Sequence, residues 1–160
     1  MNSLVVYYSR SGNTAKVAEV IAEELGGDTE EIIDIKSRAG FFGYLSAAWD
    51  TIFKNETDIE PLEHRPAEYD LVVIGTPIWN WKVPAPTRAF FDVLNGRVRR
   101  AAVFCTGDNG ESPVLVQMAE LLGRKPIERA AITEKSVRDG SYRAVACGFA
   151  AKLKSHFGLA

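Results

Sequence analysis

A chain of 160 residues with 46% apolar and 25% charged side chains has the composition of a folded domain and is far from a disordered one. Its length suffices for one core over residues 1–160 without a disulfide or metal staple. Nineteen Lys and Arg against twenty-one Asp and Glu leave a net charge of -2, which argues against a nucleic-acid binder that works by neutralising phosphates. Cys105 and Cys147 have no CxxC spacing, as expected of free thiols in a reducing compartment. The start, Met1-Asn2-Ser3 running into Leu4, carries no basic leader, and no apolar run approaches the ~18 residues of a spanning helix. A cytoplasmic protein is therefore expected.

In chain order, Leu4–Tyr8 reads as a strand apolar on both faces, as in a parallel sheet covered on both sides. Val17, Val20, Ile21, Ala22 and Leu25 recur at helical spacing, and Gly26-Gly27 ends that helix. Glu31–Lys36 predicts a second strand. A long crossover follows, in which Phe41, Leu45, Ala48, Trp49 and Ile52 share one helical face. That stripe reads as core packing; Phe42, Tyr44 and Phe53, off the stripe, read alternatively as a partner or substrate surface. Tyr69–Gly75, Ala101–Cys105 and Ile127–Ile132 predict three further strands, and helices are expected over Pro86–Leu94, Pro113–Leu122 and Ser141–Phe157.

Five strands alternating with helices imply right-handed crossovers and an open, doubly wound α/β sheet. In such sheets ligands sit beyond the carboxyl ends of the strands. Three turn-rich segments fall there: 9–14, 76–84 and 106–110. Ser9-Arg10-Ser11-Gly12-Asn13-Thr14 joins a strand to a helix and offers hydroxyls and free helix-start amides to an anion; an ordinary capped turn has the same composition. Neither GxGxxG nor GxxxxGK[ST] occurs in the chain, so dinucleotide-fold and nucleoside-triphosphatase readings have no support. The segment from Thr76 to Pro86 places Trp79 and Trp81 in a proline-flanked loop. Such rings suit a planar aromatic ligand, while one of the two is expected to fold back onto local core.

These three loops, in order and at their strand ends, resemble the flavodoxin-like FMN-binding family over the whole chain. Ser9 to Thr14 matches the family's [Ser/Thr]-x-[Ser/Thr]-Gly-x-Thr pattern, followed by Gly75-Thr76-Pro77-Ile78-Trp79 and Thr106-Gly107-Asp108-Asn109-Gly110. The resemblance implies a five-stranded parallel sheet of order 2-1-3-4-5 with FMN at its switch point. It also implies that Ser9, Arg10, Ser11, Gly12, Asn13 and Thr14 wrap the FMN phosphate. Thr76, Pro77, Ile78, Trp79 and Asn80 would line one side of the isoalloxazine ring. Thr106, Gly107, Asp108, Asn109 and Gly110 would approach its pyrimidine edge, and the Asn80 peptide would reorient to reach the flavin N5 as the ring is reduced.

Two departures from the acidic electron carriers of that family are visible. The third loop offers no aromatic ring, which would leave one flavin face open to a substrate or covered by another chain, and a net charge of -2 weakens steering toward a basic partner. No GxSxG, HExxH or Cys–x₅–Arg pattern is present, so hydrolytic chemistry is not indicated. An apolar pocket with no placed cation would disfavour the anionic reduced ring. His64 and His156 are expected to be solvated surface residues. Cys105 is expected as a buried small hydrophobe, with a flavin-reactive or oxidant-sensing thiol as the alternative, and Cys147 as core. The leading functional reading is flavin-mediated electron transfer between redox proteins. The alternatives are an NAD(P)H-dependent FMN reductase of quinones or similar small acceptors, and a flavin-free phosphate-binding or interaction module. The sequence leaves the oligomeric state open.

Overall fold

A computed structural model describes residues 1–35, 58–108 and 113–159. The crossover stripe from Phe41 to Phe53 and the third-loop residues Asn109 and Gly110 lie outside them. The elements are β1 (Ser3–Tyr7), α1 (Asn13–Leu25), β2 (Asp28–Glu31), β3 (Leu71–Pro77), α2 (Ala85–Leu94), β4 (Ala101–Gly107), α3 (Pro113–Leu122), β5 (Arg129–Thr133), α4 (Glu134–Asp139) and α5 (Tyr142–Ser155). The five strands form one parallel sheet in the order β2-β1-β3-β4-β5. This is the flavodoxin-like doubly wound arrangement expected from the loops. Strand order reverses between β1 and β3, so a crevice opens where their carboxyl ends diverge. Among the described residues no helix is long and apolar enough to cross a membrane.

Alternate side chains on each strand point to opposite faces, and both faces are covered. Leu4, Val6, Val72, Ile74 and Val103 pack with Phe90, Phe91 and Met118, which α2 and α3 supply. Val5, Tyr7, Leu71, Val73 and Phe104 pack with Val17, Ile21, Phe149 and Leu153, from α1 and α5. Each such fully buried aliphatic contributes about 1.5–3 kcal/mol relative to exposure. The continuous apolar runs of the three central strands follow from this double burial.

Two elements differ from the expectation. The second strand is Asp28–Glu31, not Glu31–Lys36: Leu4 pairs with Asp28 and Tyr7 with Glu31. It lies at the sheet edge, and three of its four residues are exposed, so pairing rather than apolar character defines it. Ile32 still donates its amide to the Tyr7 carbonyl at 2.7 Å and is buried, ending the ladder inside the core. The second difference is α4, a short helix capped where Thr133 Oγ1 accepts the Ser136 amide at 3.1 Å.

Both histidines were expected to be simply solvated. His156 is at the surface beside Glu128, at 3.1 Å. His64 instead binds through Nδ1 to the buried Glu30 carboxylate at 2.5 Å, and Glu30 also accepts the Glu63 and His64 amides at 2.8 Å each. This ties the returning crossover to the edge strand. Cys147 is a half-buried residue at the margin of the core, not inside it, with its thiol 3.5 Å from Glu24.

Candidate functional site

Three loops leave the carboxyl ends of β1, β3 and β4 on one rim, as their parallel register requires. The first begins at Ser9, whose Oγ accepts the Ala15 amide at 3.2 Å. Gly12 takes φ 84 at the start of α1 and makes no side-chain cap, a backbone state that glycine adopts without steric cost. The Gly12, Asn13 and Thr14 amides are among those that a helix start leaves without intrahelical acceptors. They meet the positive end of the helix dipole, which favours an anion there. Ser11 and Arg10 are exposed at the same edge.

The Thr14 hydroxyl, expected among the groups around the phosphate, is buried and lies 2.8 Å from the hydroxyl of Thr106, also buried. One of the pair donates to the other, so one hydroxyl hydrogen is left for a further acceptor. First and third loops are thereby joined beneath the rim. Thr76 makes a second buried pair, with Thr87 at 2.9 Å, and so faces α2 rather than the rim.

After β3, Ile78 donates its amide to the Thr106 carbonyl at 2.9 Å. The chain then reverses in a two-residue turn at Asn80 and Trp81, with φ of 46 and 61. Lys82 donates to the Trp79 carbonyl at 2.8 Å and Trp79 to the Lys82 carbonyl at 3.3 Å, the pattern of a type I′ turn. This turn separates the two tryptophans. Trp79 folds back onto core, edge-on to Tyr8 at 5.6 Å between centroids, with the Arg10 guanidinium 5.4 Å from its ring centre. Trp81 is 54% exposed.

A cavity of about 210 Å³ opens here, lined by Ile78, Asn80, Trp81, Gly107, Asp108 and Glu134. The ring on this cavity's wall is Trp81; Trp79 and Pro77, both expected beside the flavin, are not among the cavity's lining residues. Glu134, from α4, was not anticipated either; only its position after a strand end hinted at it. Gly107 is required for the close approach of the loops, since a Cβ there would meet Ile78 side-chain atoms at 2.7 and 2.9 Å.

Cys105 lies one strand residue behind the rim and is fully buried. Burial pushes its thiol up from 9.0 to about 12, which supports the buried-hydrophobe reading and leaves almost no thiolate to react at neutral pH. Tyr8 is pushed from 10.0 to about 12 by burial and then by Asp34. Both groups stay neutral when folded and ionise at lower pH when unfolded, so their contribution to stability is complete below about pH 9 and is lost as pH rises toward 12. The urea midpoint is expected to stay level from pH 7 to about 8.5 and fall above pH 9. Cys105→Ala should delay that fall.

The donor set at the helix start suits a phosphate, and the slot bounded by Trp81 and Gly107 suits the edge of a planar ring, so the residues fit a mononucleotide such as FMN. A family model for NADPH-dependent FMN reductases matches residues 1–122. No curated protein matches the chain. Among solved structures, the chain is similar to a flavoprotein in complex with FMN from Lactobacillus acidophilus (26% identity, 88% of this chain and 98% of that one, TM-score 0.69). It also shares its fold with flavodoxin 1 from Bacillus cereus (17% identity, 98% and 99% covered, TM-score 0.57). A WrbA-like flavodoxin from Agrobacterium tumefaciens is similar at 16% identity, with 97% and 98% covered and a TM-score of 0.55. With a match over residues 1–122 and this sheet order, the chain belongs to the NADPH-dependent FMN reductase family, as an FMN-binding flavoprotein of flavodoxin-like fold.

Proposed function

We propose that this chain is an FMN-dependent oxidoreductase that accepts reducing equivalents from a nicotinamide nucleotide and passes them to a small acceptor such as a quinone. The supporting observation is the convergence on one rim of a helix start rich in free amides and an open slot walled by Trp81. FMN, when bound, supplies the hydride and single-electron chemistry that the side chains lack. The Gly12, Asn13 and Thr14 amides, with the Ser9 and Ser11 hydroxyls, would hold its phosphate. Trp81 would cover one side of the ring and exclude water, while Ile78, Asn80 and Gly107 would line its edge. Asp108 and Glu134 at the slot would keep negative charge near the ring and disfavour its anionic form.

The test is to titrate the purified chain with FMN and then mix the loaded protein with NADPH or NADH in a stopped-flow instrument. The expected result is saturable binding followed by bleaching of the flavin band by nucleotide alone, with colour restored by a quinone. A chain that takes up no FMN would overturn the reading. A second reading, electron transfer to a redox partner protein, is favoured by the exposed Trp81, Val116 and Leu121, apolar surface suited to a protein contact. Flavin that ignores both nucleotides but is reduced by a reductase protein would select it. One polypeptide domain is proposed to carry either activity.

A further inference from the structure

The turn carrying Asn80 and Trp81 is held from behind by two side chains outside the three loops. Gln117, on α3, accepts the Val83 amide on Oε1 at 3.1 Å and donates from Nε2 to the Trp81 carbonyl at 2.9 Å. Arg88, on α2, donates from Nη1 to the Val83 carbonyl at 2.6 Å. A primary amide is the side chain that answers one N–H and one C=O at once, since a carboxylate only accepts and an ammonium only donates.

The peptide joining Trp81 to Lys82 is fixed through its carbonyl by Gln117 and through its N–H by the Trp79 carbonyl. The next peptide is fixed through its carbonyl by the Trp79 amide and through its N–H by Gln117. The carbonyl of Asn80 and the amide of Trp81 make no hydrogen bond among the described residues. Trp81 meanwhile sits at φ 61, a left-handed state that costs a non-glycine residue free energy and persists only when its surroundings hold it. The clamp therefore leaves one rotatable peptide, at the wall of the proposed flavin slot.

We propose that Gln117, supported by Arg88, is a positioning residue that keeps Trp81 left-handed and confines the turn's freedom to the Asn80–Trp81 peptide, thereby setting the relative affinity of the site for oxidised and reduced flavin. The proposal rests on the FMN reading above. Both residues line a surface cavity of about 480 Å³ with Lys82, Glu120 and Leu121, so changing them does not hollow the core.

Two measurements test it. In the flavin-free chain, Gln117→Leu should speed hydrogen exchange of the Val83 amide at least tenfold. In the loaded chain it should change the ratio of FMN dissociation constants for the oxidised and two-electron-reduced forms at least fivefold. That change is about 20 mV at about 30 mV per tenfold for a two-electron couple. Gln117→Glu, which keeps the acceptor and loses the donor, should leave Val83 protected yet still move the ratio. Arg88→Leu should act in the same direction by a smaller factor and serves if Gln117→Leu does not fold. Glu120→Gln, in the same cavity, should change neither reading. A merely structural role weakens both redox forms equally, so a ratio unmoved by Gln117→Leu in a chain that binds FMN overturns the proposal. A wild-type chain that binds no FMN overturns the functional reading and the flavin half of this one, and Val83 exchange then decides whether the clamp exists.

Discussion

Replacing Gly75 by Ala is expected to cost about 3 kcal/mol of folding stability, near the upper end for overpacking a core. Gly75 lies in β3, paired with Tyr7 of β1 on one side and Phe104 of β4 on the other. A Cβ there would be driven into the Phe104 ring, onto Cζ and Cε1, with Cε2 at 2.9 Å. Phe104 is fully buried, so its ring has no free space to enter. Ala would recover about 0.5–1 kcal/mol of backbone entropy relative to Gly, too little to offset the clash. Urea unfolding checks the figure. The double variant Gly75→Ala/Phe104→Leu should be more stable than the sum of the two single losses by at least about 1 kcal/mol, a direct measure of the contact. A Gly75→Ala chain as stable as the parent would mean that β3 and β4 do not lie at the relative height described. That height sets where Thr76–Pro77 and Thr106–Gly107 leave the sheet, so the site should weaken with the core.

The doubly wound fold was legible because parallel strands buried on both faces must be apolar throughout. Leu71–Pro77 and Ala101–Gly107 carry that signal in an unbroken form, and their boundaries shift by two residues or fewer from the runs that announce them. The edge strand was misplaced because its chemistry points elsewhere. Asp28-Thr29-Glu30-Glu31 has one covered side and reads as a loop, while Ile32, Ile33 and Ile35 draw attention downstream. The loop order pointed to the rim, since each loop must leave at a strand end. What the sequence could not show is which side chains meet there. Trp79 and Trp81, two apart, would point the same way on a strand; two successive left-handed residues send one into the core and leave the other at the slot. Gln117 reaches Val83 across 34 positions of sequence, and no local pattern records such a contact. Glu134 likewise reaches the slot only because a short capped helix begins right after β5. Phosphate-type motifs are local and readable, whereas the supporting contacts behind them come from packing.

The buried hydroxyl pair under the rim separates support from binding. Thr106→Val is expected to lower folding stability by about 1–3 kcal/mol, because it leaves the Thr14 hydroxyl buried without its 2.8 Å partner. Removing both hydroxyls, in Thr14→Val/Thr106→Val, replaces a satisfied polar pair by apolar groups of the same shape, which is nearly neutral for folding. Stability should therefore return toward that of the parent in the double variant. FMN affinity should not. The pair retains one hydroxyl hydrogen beyond the bond it makes to itself, and a phosphate held by the neighbouring helix amides would be an acceptor within its reach. A hydrogen bond to a charged group contributes about 1.5–3 kcal/mol, so the double variant should bind FMN about 10–100-fold more weakly while unfolding at nearly the same urea concentration. Riboflavin, which lacks the phosphate, should bind parent and double variant alike. Equal loss for riboflavin and FMN would show that the hydroxyls only shape the rim and that the phosphate lies elsewhere.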